Sequence, residues 1–250
     1  MNTFSESAAT ALRLIVDFDP TLLAIVTRSL AVSATACVLA CLGGLLLGAW
    51  LGVARFPGRG ACLTVLNTLL AVPSVVVGLV VYLLLSRSGP LGFLGWLFSF
   101  QAMVLAQAVL VLPVAAALTR QVIEDADRAH GEQLQSLGAG PTLRALLLVW
   151  DERFALLTVV IACFGRAISE VGAVMIVGGN IAGVTRVMTT TIALETSKGD
   201  LPLALGLGIV LLSVVALINL GIALLQWLQR EQEAAGKRSS DDAAPAGAAP

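Results

Sequence analysis

Two ionisable residues lie inside an otherwise apolar stretch, residues 154 to 178. They are Arg166 and Glu170, with the hydroxyl of Ser169 beside them. A charged side chain at membrane depth is costly, so such residues usually face protein or a wet pathway and pair with each other. Arginine and glutamate four positions apart share one face of a helix and can form this pair. The pattern predicts either a purely structural ion pair or part of a transport pathway.

The longest polar interruption of the sequence spans residues 120 to 153. Within it, Gly138 predicts a helix end and Pro141 a new helix start, because glycine takes the left-handed conformation easily and proline suits a first turn. Three acidic residues earlier in the stretch predict a helix N-terminus near them. They are Glu124, Asp125 and Asp127. We expect two short helices outside the bilayer, either as a solvated hairpin or as a docking element for a soluble partner.

The composition places the chain in the membrane class. Of its 250 residues, 58% are hydrophobic and only 12% are charged, more apolar than a water-soluble core requires. The near-neutral net charge and the few aromatic residues exclude a nucleic-acid-binding protein. The cysteines lie in apolar stretches without metal-binding spacing, and the single histidine is expected to be solvated. These residues are Cys37, Cys41, Cys62, Cys163 and His130.

The predicted fold is an all-α membrane protein with about five transmembrane helices. Roughly 20 apolar residues are enough to cross the hydrocarbon core of a bilayer. The sequence has charge-free or charge-poor stretches of this kind at residues 29 to 54, 61 to 86, 101 to 119, from 154 onward, and 201 to 228. The first helix is expected to begin at Pro20, after Asp19 as its cap.

Glycine and proline mark where these helices should bend or touch. Pro73 and Pro113 predict kinks, because proline removes a backbone hydrogen bond. Glycines between residues 178 and 183 predict a break that leaves residues 184 to 199 as a polar, threonine-rich re-entry. Glycines at four-residue intervals on the first helix predict a close helix contact. These are Gly44, Gly48 and Gly52.

The segment boundaries and the basic residues predict how the chain is oriented. Residues 1 to 21 lack a signal peptide and form an N-terminal extracytoplasmic segment, either flat on the membrane or disordered. Residues 22 to 228 form the membrane domain, and residues 229 to 250 a disordered cytoplasmic tail. Basic residues in alternate loops divide into nine (Arg55, Arg59, Arg120, Arg128, Arg144, Arg153, Arg230, Lys237, Arg238) and five (Arg13, Arg28, Arg87, Arg186, Lys198). The positive-inside rule then places residues 120 to 153 in the cytoplasm.

This polar loop resembles a motif of the permease subunits of binding-protein-dependent ABC transporters. Their cytoplasmic loop carries Glu-Ala-Ala, three residues, Gly, nine residues, Ile, one residue and Leu-Pro. Glu132 and Gly138 keep the same spacing here, and Leu148 occupies the isoleucine position. The sequence departs from the motif at residues 133 to 134 and 150 to 151. The resemblance implies a type I importer fold in which Glu132, Leu137, Gly138 and Ala139 form the ATPase coupling site.

A second resemblance covers the stretch that contains Arg166, Ser169 and Glu170. Residues 165 to 173, 177 to 181 and 188 to 200 are similar to permeases for tetrahedral oxyanions, most of all the tungstate-type subunit, with molybdate or sulfate as alternatives. The likeness extends over about residues 22 to 228. It implies a homodimer in lipid of the bacterial inner membrane and an extracytoplasmic oxyanion-binding protein that delivers the substrate.

ATP is expected on a partner rather than on this chain. The sequence contains no G-x-x-x-x-G-K-[ST] loop to hold its phosphates, so hydrolysis is assigned to a separate ATP-binding subunit and no cofactor or metal to this chain. A secondary transporter is a rival interpretation, although the two related halves typical of such folds are not evident. An intramembrane enzyme is another, although only Ser169 beside Glu170 resembles a reactive pair, without a histidine.

Overall fold

The computed structural model describes residues 20 to 242, and every regular element in that range is a helix. The all-α prediction is therefore confirmed, whereas residues 1 to 19 of the predicted N-terminal segment lie outside the described residues, as does Asp19. The α-helices are α1 (Pro20–Val53), α2 (Arg59–Ala71), α3 (Ser74–Leu85), α4 (Phe100–Ser136), α5 (Pro141–Asp151), α6 (Arg153–Ile168), α7 (Gly172–Gly178), α8 (Met188–Lys198) and α9 (Leu201–Asp242). A short 3-10 helix, Gly92–Leu94, precedes α4.

Between three and five spans can cross a membrane. Helices α1, α4 and the first half of α9 are each long and apolar enough alone. The pairs α2 with α3 and α6 with α7 also qualify if each pair is one span, with bends of 97° and 56°. Pro73 lies in the first bend, as predicted, whereas α4 continues as one helix through Pro113. The structure therefore agrees with the five stretches expected from the sequence.

Helices α1 and α4 form the central contact of the bundle, and the glycine stripe of α1 lies in it. A Cβ atom on Gly44 would stand 2.5 Å from the Cβ of Ala115, and one on Gly48 would meet the carbonyl oxygen of Ala116. Side chains at these positions would force the helices apart. The predicted close contact is confirmed, because only glycine permits this backbone approach.

Two of the buried clusters formed by the described residues extend along this central pair. One joins α1, α4, α5 and α6 and includes Ile123 and Leu148, together with the buried Cys37, Cys41 and Cys163. The other joins α1, α3, α4 and α7 and contains Val32, Ala36, Val81, Leu85, Ala102, Met103, Val104, Ala106, Leu110, Ala173, Val174, Val177 and Val187. The hairpin formed by α4 and α5 is thus packed on the first cluster. The bend between α6 and α7 lies between the two clusters.

The structure differs from the sequence prediction at the start of the polar stretch. Helix α4 does not end at the membrane but continues to Ser136, so no helix begins near Glu124, Asp125 and Asp127. That predicted N-terminus was wrong. The acidic residues are compatible with a helix interior because two of them pair with arginines one turn away, Glu124 with Arg120 and Asp125 with Arg128.

The last helix also extends further than expected. Among the described residues, those up to Leu211 form one compact unit, and those from Leu212 form a second. Within the second unit α9 continues to Asp242, past residue 229, where the composition predicted disorder. Glutamine, glutamate, alanine and arginine, each of which occurs twice among residues 229 to 242, all have high helix propensity. Residues 243 to 250 of the predicted tail lie outside the described residues.

Candidate functional site

The bend between α6 and α7 contains the ionisable residues singled out in the sequence. Helix α6 ends at Ile168, and α7 begins at Gly172. Arg166 therefore lies in the last turn of α6, whereas Glu170 lies in the break itself. The expectation that both occupy one continuous helix was wrong. No proline or glycine interrupts residues 169 to 171, so the break was not visible as a local signal.

The two charges nevertheless form an ion pair. Arg166 Nη1 lies 2.8 Å from Glu170 Oε2, and the exposed fractions of the side chains are 40% for arginine and 4% for glutamate. The other carboxylate oxygen, Oε1, accepts a hydrogen bond of 3.1 Å from the N–H of Ala173, in the first turn of α7. First-turn N–H groups have no partner within their own helix, so Glu170 supplies one. One buried carboxylate thus joins the end of α6 to the start of α7.

Residues from two other helices hold the same break. Gln107 of α4 donates its Nε2–H to the carbonyl of Ala167 at 3.0 Å, and Thr189 of α8 donates its hydroxyl to the carbonyl of Glu170 at 2.8 Å. Both side chains are buried. Sequence reasoning missed them, although Gln107 is the single amide between residues 102 and 119 and was an available signal. The break is therefore held by its own ion pair and by side chains of two other helices.

The hydroxyl of Ser169 makes a local contact. It donates to the carbonyl of Arg166 at 3.1 Å, within its own helix end. Ser169 is exposed, whereas Glu170 beside it is buried. The structure brings Arg166 and Glu170 together but directs the Ser169 hydroxyl back to the backbone.

The loop after α7 follows the predicted glycine break. Gly179 and Asn180 both have positive φ, +67° and +50°, which ends the helix. Arg28 of α1 donates from Nη2 to the carbonyl of Gly183 at 2.7 Å and so ties this loop to the first helix. The predicted polar re-entry then contains a regular helix, α8.

The hairpin of α4 and α5 forms the second candidate region. Gly138 has φ of +84°, and the N–H of Ala139 donates to the carbonyl of Leu134 at 3.0 Å, which closes α4 in a Schellman turn. Pro141 is the first residue of α5. The glycine stop and proline restart are confirmed as predicted.

The base of this hairpin is fixed by buried contacts. Arg144 Nε lies 2.8 Å from Asp127 Oδ1, and the two side chains are 12% and 8% exposed. Leu148, at the position of the motif isoleucine, is buried between the helices. Arg59 at the start of α2 also pairs with Glu124 at 3.3 Å. These contacts make the hairpin base a packed part of the membrane bundle.

The tip of the hairpin is accessible. Glu132, Leu137 and Gly138 are exposed, and Ala139 is half-buried. Leu137 presents 79% of its surface. The structure therefore places the four predicted coupling residues together at the outer end of a rigid hairpin.

Similar proteins were found among curated sequences, although no protein-family model matches the chain. The tungstate uptake system permease protein TupB of Peptoclostridium acidaminophilum is 43% identical over 90% of this chain and 99% of its own length. A probable anion ABC transporter permease protein of Haloferax volcanii is 40% identical over 79% of this chain and 88% of its own. The molybdenum transport system permease protein ModB of Escherichia coli is 30% identical, over 76% and 86%.

Proposed function

The chain belongs to the family of ABC transporter permease subunits, integral membrane proteins, and we propose that it forms the membrane pathway of an importer for tungstate. The observation that carries the proposal is the similarity to a tungstate uptake permease over nearly the full length of both chains. Relatives named for sulfate or molybdenum transport are less similar, so molybdate and sulfate remain the second choice. All three substrates are tetrahedral dianions.

In this proposal the chain has no ATPase activity of its own. Two copies form the pathway, a separate ATP-binding subunit hydrolyses ATP, and an extracytoplasmic binding protein delivers the anion. The membership in the ABC permease family supports these partners. The exposed tip at Glu132, Leu137, Gly138 and Ala139 is the surface that contacts the ATP-binding subunit, on the cytoplasmic side.

The α6–α7 break supplies positive potential to the pathway. Arg166 uses one edge of its guanidinium for Glu170 but is 40% exposed, and an arginine carries five N–H donors in all. Donors left over from the ion pair can bind a dianion that has lost part of its water, which an apolar wall cannot do. Burial of Glu170 keeps the arginine in place while the anion passes.

Helix α4 connects the two regions. It is continuous from Phe100 to Ser136, so Glu132 of the tip and Gln107 belong to one helix. At 1.5 Å per residue, Glu132 and Gln107 are about 37 Å apart along this helix. When the ATP-binding subunits close, displacement of the tip moves Gln107 and with it the end of α6 that carries Arg166. Alternating access then follows from rigid-body motion of packed helices.

Metal uptake by cells tests the proposed function. The chain is expressed with an ATP-binding subunit and a binding protein encoded beside it, in cells without their own tungstate or molybdate uptake, and cellular tungsten is measured by mass spectrometry. We expect uptake that needs all three proteins and that excess sulfate does not inhibit. Equal inhibition by sulfate would overturn the choice of tungstate, and uptake without the ATP-binding subunit would overturn the ABC mechanism.

A further inference from the structure

Helix α5 carries an apolar stripe that the hairpin does not use. Its residues follow the spacing i, i+3, i+4, i+7, which places them on one helix face. They are Leu143, Leu146, Leu147 and Trp150, with exposed fractions of 52%, 63%, 42% and 74%. The opposite face is occupied, because Leu148 is buried and Arg144 is paired with Asp127. The stripe therefore faces away from the packed base of the hairpin.

A cavity of about 650 Å³ opens beside this stripe, between α1, α5 and α6. Its lining is aliphatic or aromatic apart from Arg153, and includes Leu45, Leu146, Trp150, Leu156 and Val160. An apolar cavity does not hold water well and accepts apolar ligands instead. The chemistry of the walls thus selects a hydrocarbon group.

The cavity reaches from an apolar depth to a polar rim. Leu45 belongs to the charge-free part of α1, whose neighbouring Leu42 and Leu46 are 61% and 70% exposed. At the other end the guanidinium of Arg153 lies 5.6 Å from the Trp150 ring and 4.6 Å from the Phe154 ring. Tryptophan and arginine are typical of the level of lipid head groups, where their apolar parts stay in the hydrocarbon.

We propose that this cavity binds one acyl chain of an anionic phospholipid, whose head group lies at Arg153. The walls continue the apolar outer surface of α1, and among the described residues the only charged one that lines the cavity is a cation, complementary to an anionic head group. The inference rests on the proposed function in one respect. If the hairpin is cytoplasmic, the cavity lies in the leaflet whose negative surface potential attracts basic residues. The lipid then anchors the coupling hairpin to the membrane surface.

Quenching of Trp150 fluorescence by brominated lipids tests this site. The full chain, with Trp50, Trp96 and Trp227 replaced by phenylalanine, is reconstituted with phospholipids brominated on the acyl chain. We expect the site to bind brominated phosphatidylglycerol roughly fivefold more tightly than brominated phosphatidylcholine. This ratio is the order expected for one basic residue near the membrane surface. Arg153→Gln should remove the preference. As the matched control, a variant that keeps only Trp96, which lies before α4, should show no preference that depends on Arg153.

Two results would overturn the proposal. Absence of quenching at Trp150 means that another protein surface, a second copy or the ATP-binding subunit, covers the cavity. Quenching without preference, or a preference unchanged in Arg153→Gln, excludes the head-group site. If the triple phenylalanine variant does not fold, native mass spectrometry of phosphatidylglycerol retained by the unmodified chain and by Arg153→Gln decides the same question. Neither measurement depends on transport, so loss of uptake and loss of the lipid site are distinguishable.

Discussion

The α6–α7 break and the α4–α5 hairpin use charged residues in opposite ways. In the break one carboxylate, Glu170, is 4% exposed and joins two helix ends through Arg166 and a backbone N–H. In the hairpin the paired charges, Arg144 and Asp127, lie at the base, and the tip residue Glu132 remains exposed. The difference separates charges that hold the helices of this chain together from a charge that stays accessible at the surface. Variants of the break and of the hairpin base should therefore lose stability, whereas variants of the hairpin tip should lose assembly.

The largest effect is expected from Arg166→Met, because it leaves the carboxylate of Glu170 buried without its partner. Breaking a buried ion pair on one side costs about 3–5 kcal/mol. Glu170→Met should cost less, since the stranded guanidinium is 40% exposed and can reach water or a polar group. The double methionine variant should recover most of the stability. Thermal unfolding of the three purified variants measures this order.

Measuring tungstate uptake as well as stability for the double methionine variant separates a structural role of Arg166 from a role in the pathway. If Arg166 supplies potential for the anion, the double variant folds but takes up tungstate poorly. Full uptake by a stable double variant would remove Arg166 from the pathway and leave it a structural partner of Glu170. Equal destabilisation by the two single variants would contradict the asymmetry in burial.

A smaller loss of stability is expected at the hairpin base. Asp127→Ala strands Arg144, which is only 12% exposed, and should cost about 3 kcal/mol. Asp125→Ala is the matched control, because its pair with Arg128 lies on the same helix with both side chains more than two-thirds exposed. Exposed pairs contribute about 0–1 kcal/mol. Similar unfolding temperatures for the two variants would show that the base is not fixed by this ion pair.

Gln107→Leu should affect coupling more than stability. The substitution removes the donor to the Ala167 carbonyl, a loss of about 1 kcal/mol. It also removes the Oε1 atom, which is buried without a hydrogen-bond donor among the described residues. Removal of this unsatisfied atom offsets part of that loss. We expect the assembled transporter to hydrolyse ATP but to import less tungstate per ATP. Gln101→Leu, an exposed amide on the same helix, is the control and should leave this ratio unchanged.

The smallest effect on stability is expected at the tip. Glu132 is exposed, and within residues 20 to 242 no ion pair of its carboxylate is found. Glu132→Lys should therefore change the free energy of unfolding by less than about 0.5 kcal/mol. Co-purification of the ATP-binding subunit should nevertheless be lost. Asp125→Lys reverses a charge on the same helix nearer the membrane and should retain the subunit. Retention in both variants would move the docking surface away from the tip.

Features that depend on backbone rules were predictable from the sequence. Gly138 ends a helix because glycine adopts positive φ freely, and Pro141 starts the next one because its φ already suits a first turn. Gly44 and Gly48 permit the close approach of α1 to α4, and Pro73 marks a bend. Each of these signals lies in one residue or one spacing and needs no knowledge of distant partners.

Features that depend on contacts between distant residues were not predictable in this way. The break at residues 169 to 171 has no glycine or proline and is held by Gln107 and Thr189, which are far away in sequence. The continuity of α4 was missed for another reason. The hydropathy changes near Arg120, but the helix propensity changes little, because the arginine, glutamine and glutamate residues that follow form helices about as readily as leucine does.

The length of α4 makes it a lever. Its 37 residues correspond to about 56 Å, nearly twice the roughly 30 Å thickness of the hydrocarbon core. A tilt of about 5° around its midpoint would move each end by about 2.4 Å, half the length multiplied by the sine of the angle. That displacement is close to the length of one hydrogen bond, enough to exchange the partners of a side chain at one end. Small rotations at the hairpin are therefore sufficient to open or close contacts at the opposite end of the helix.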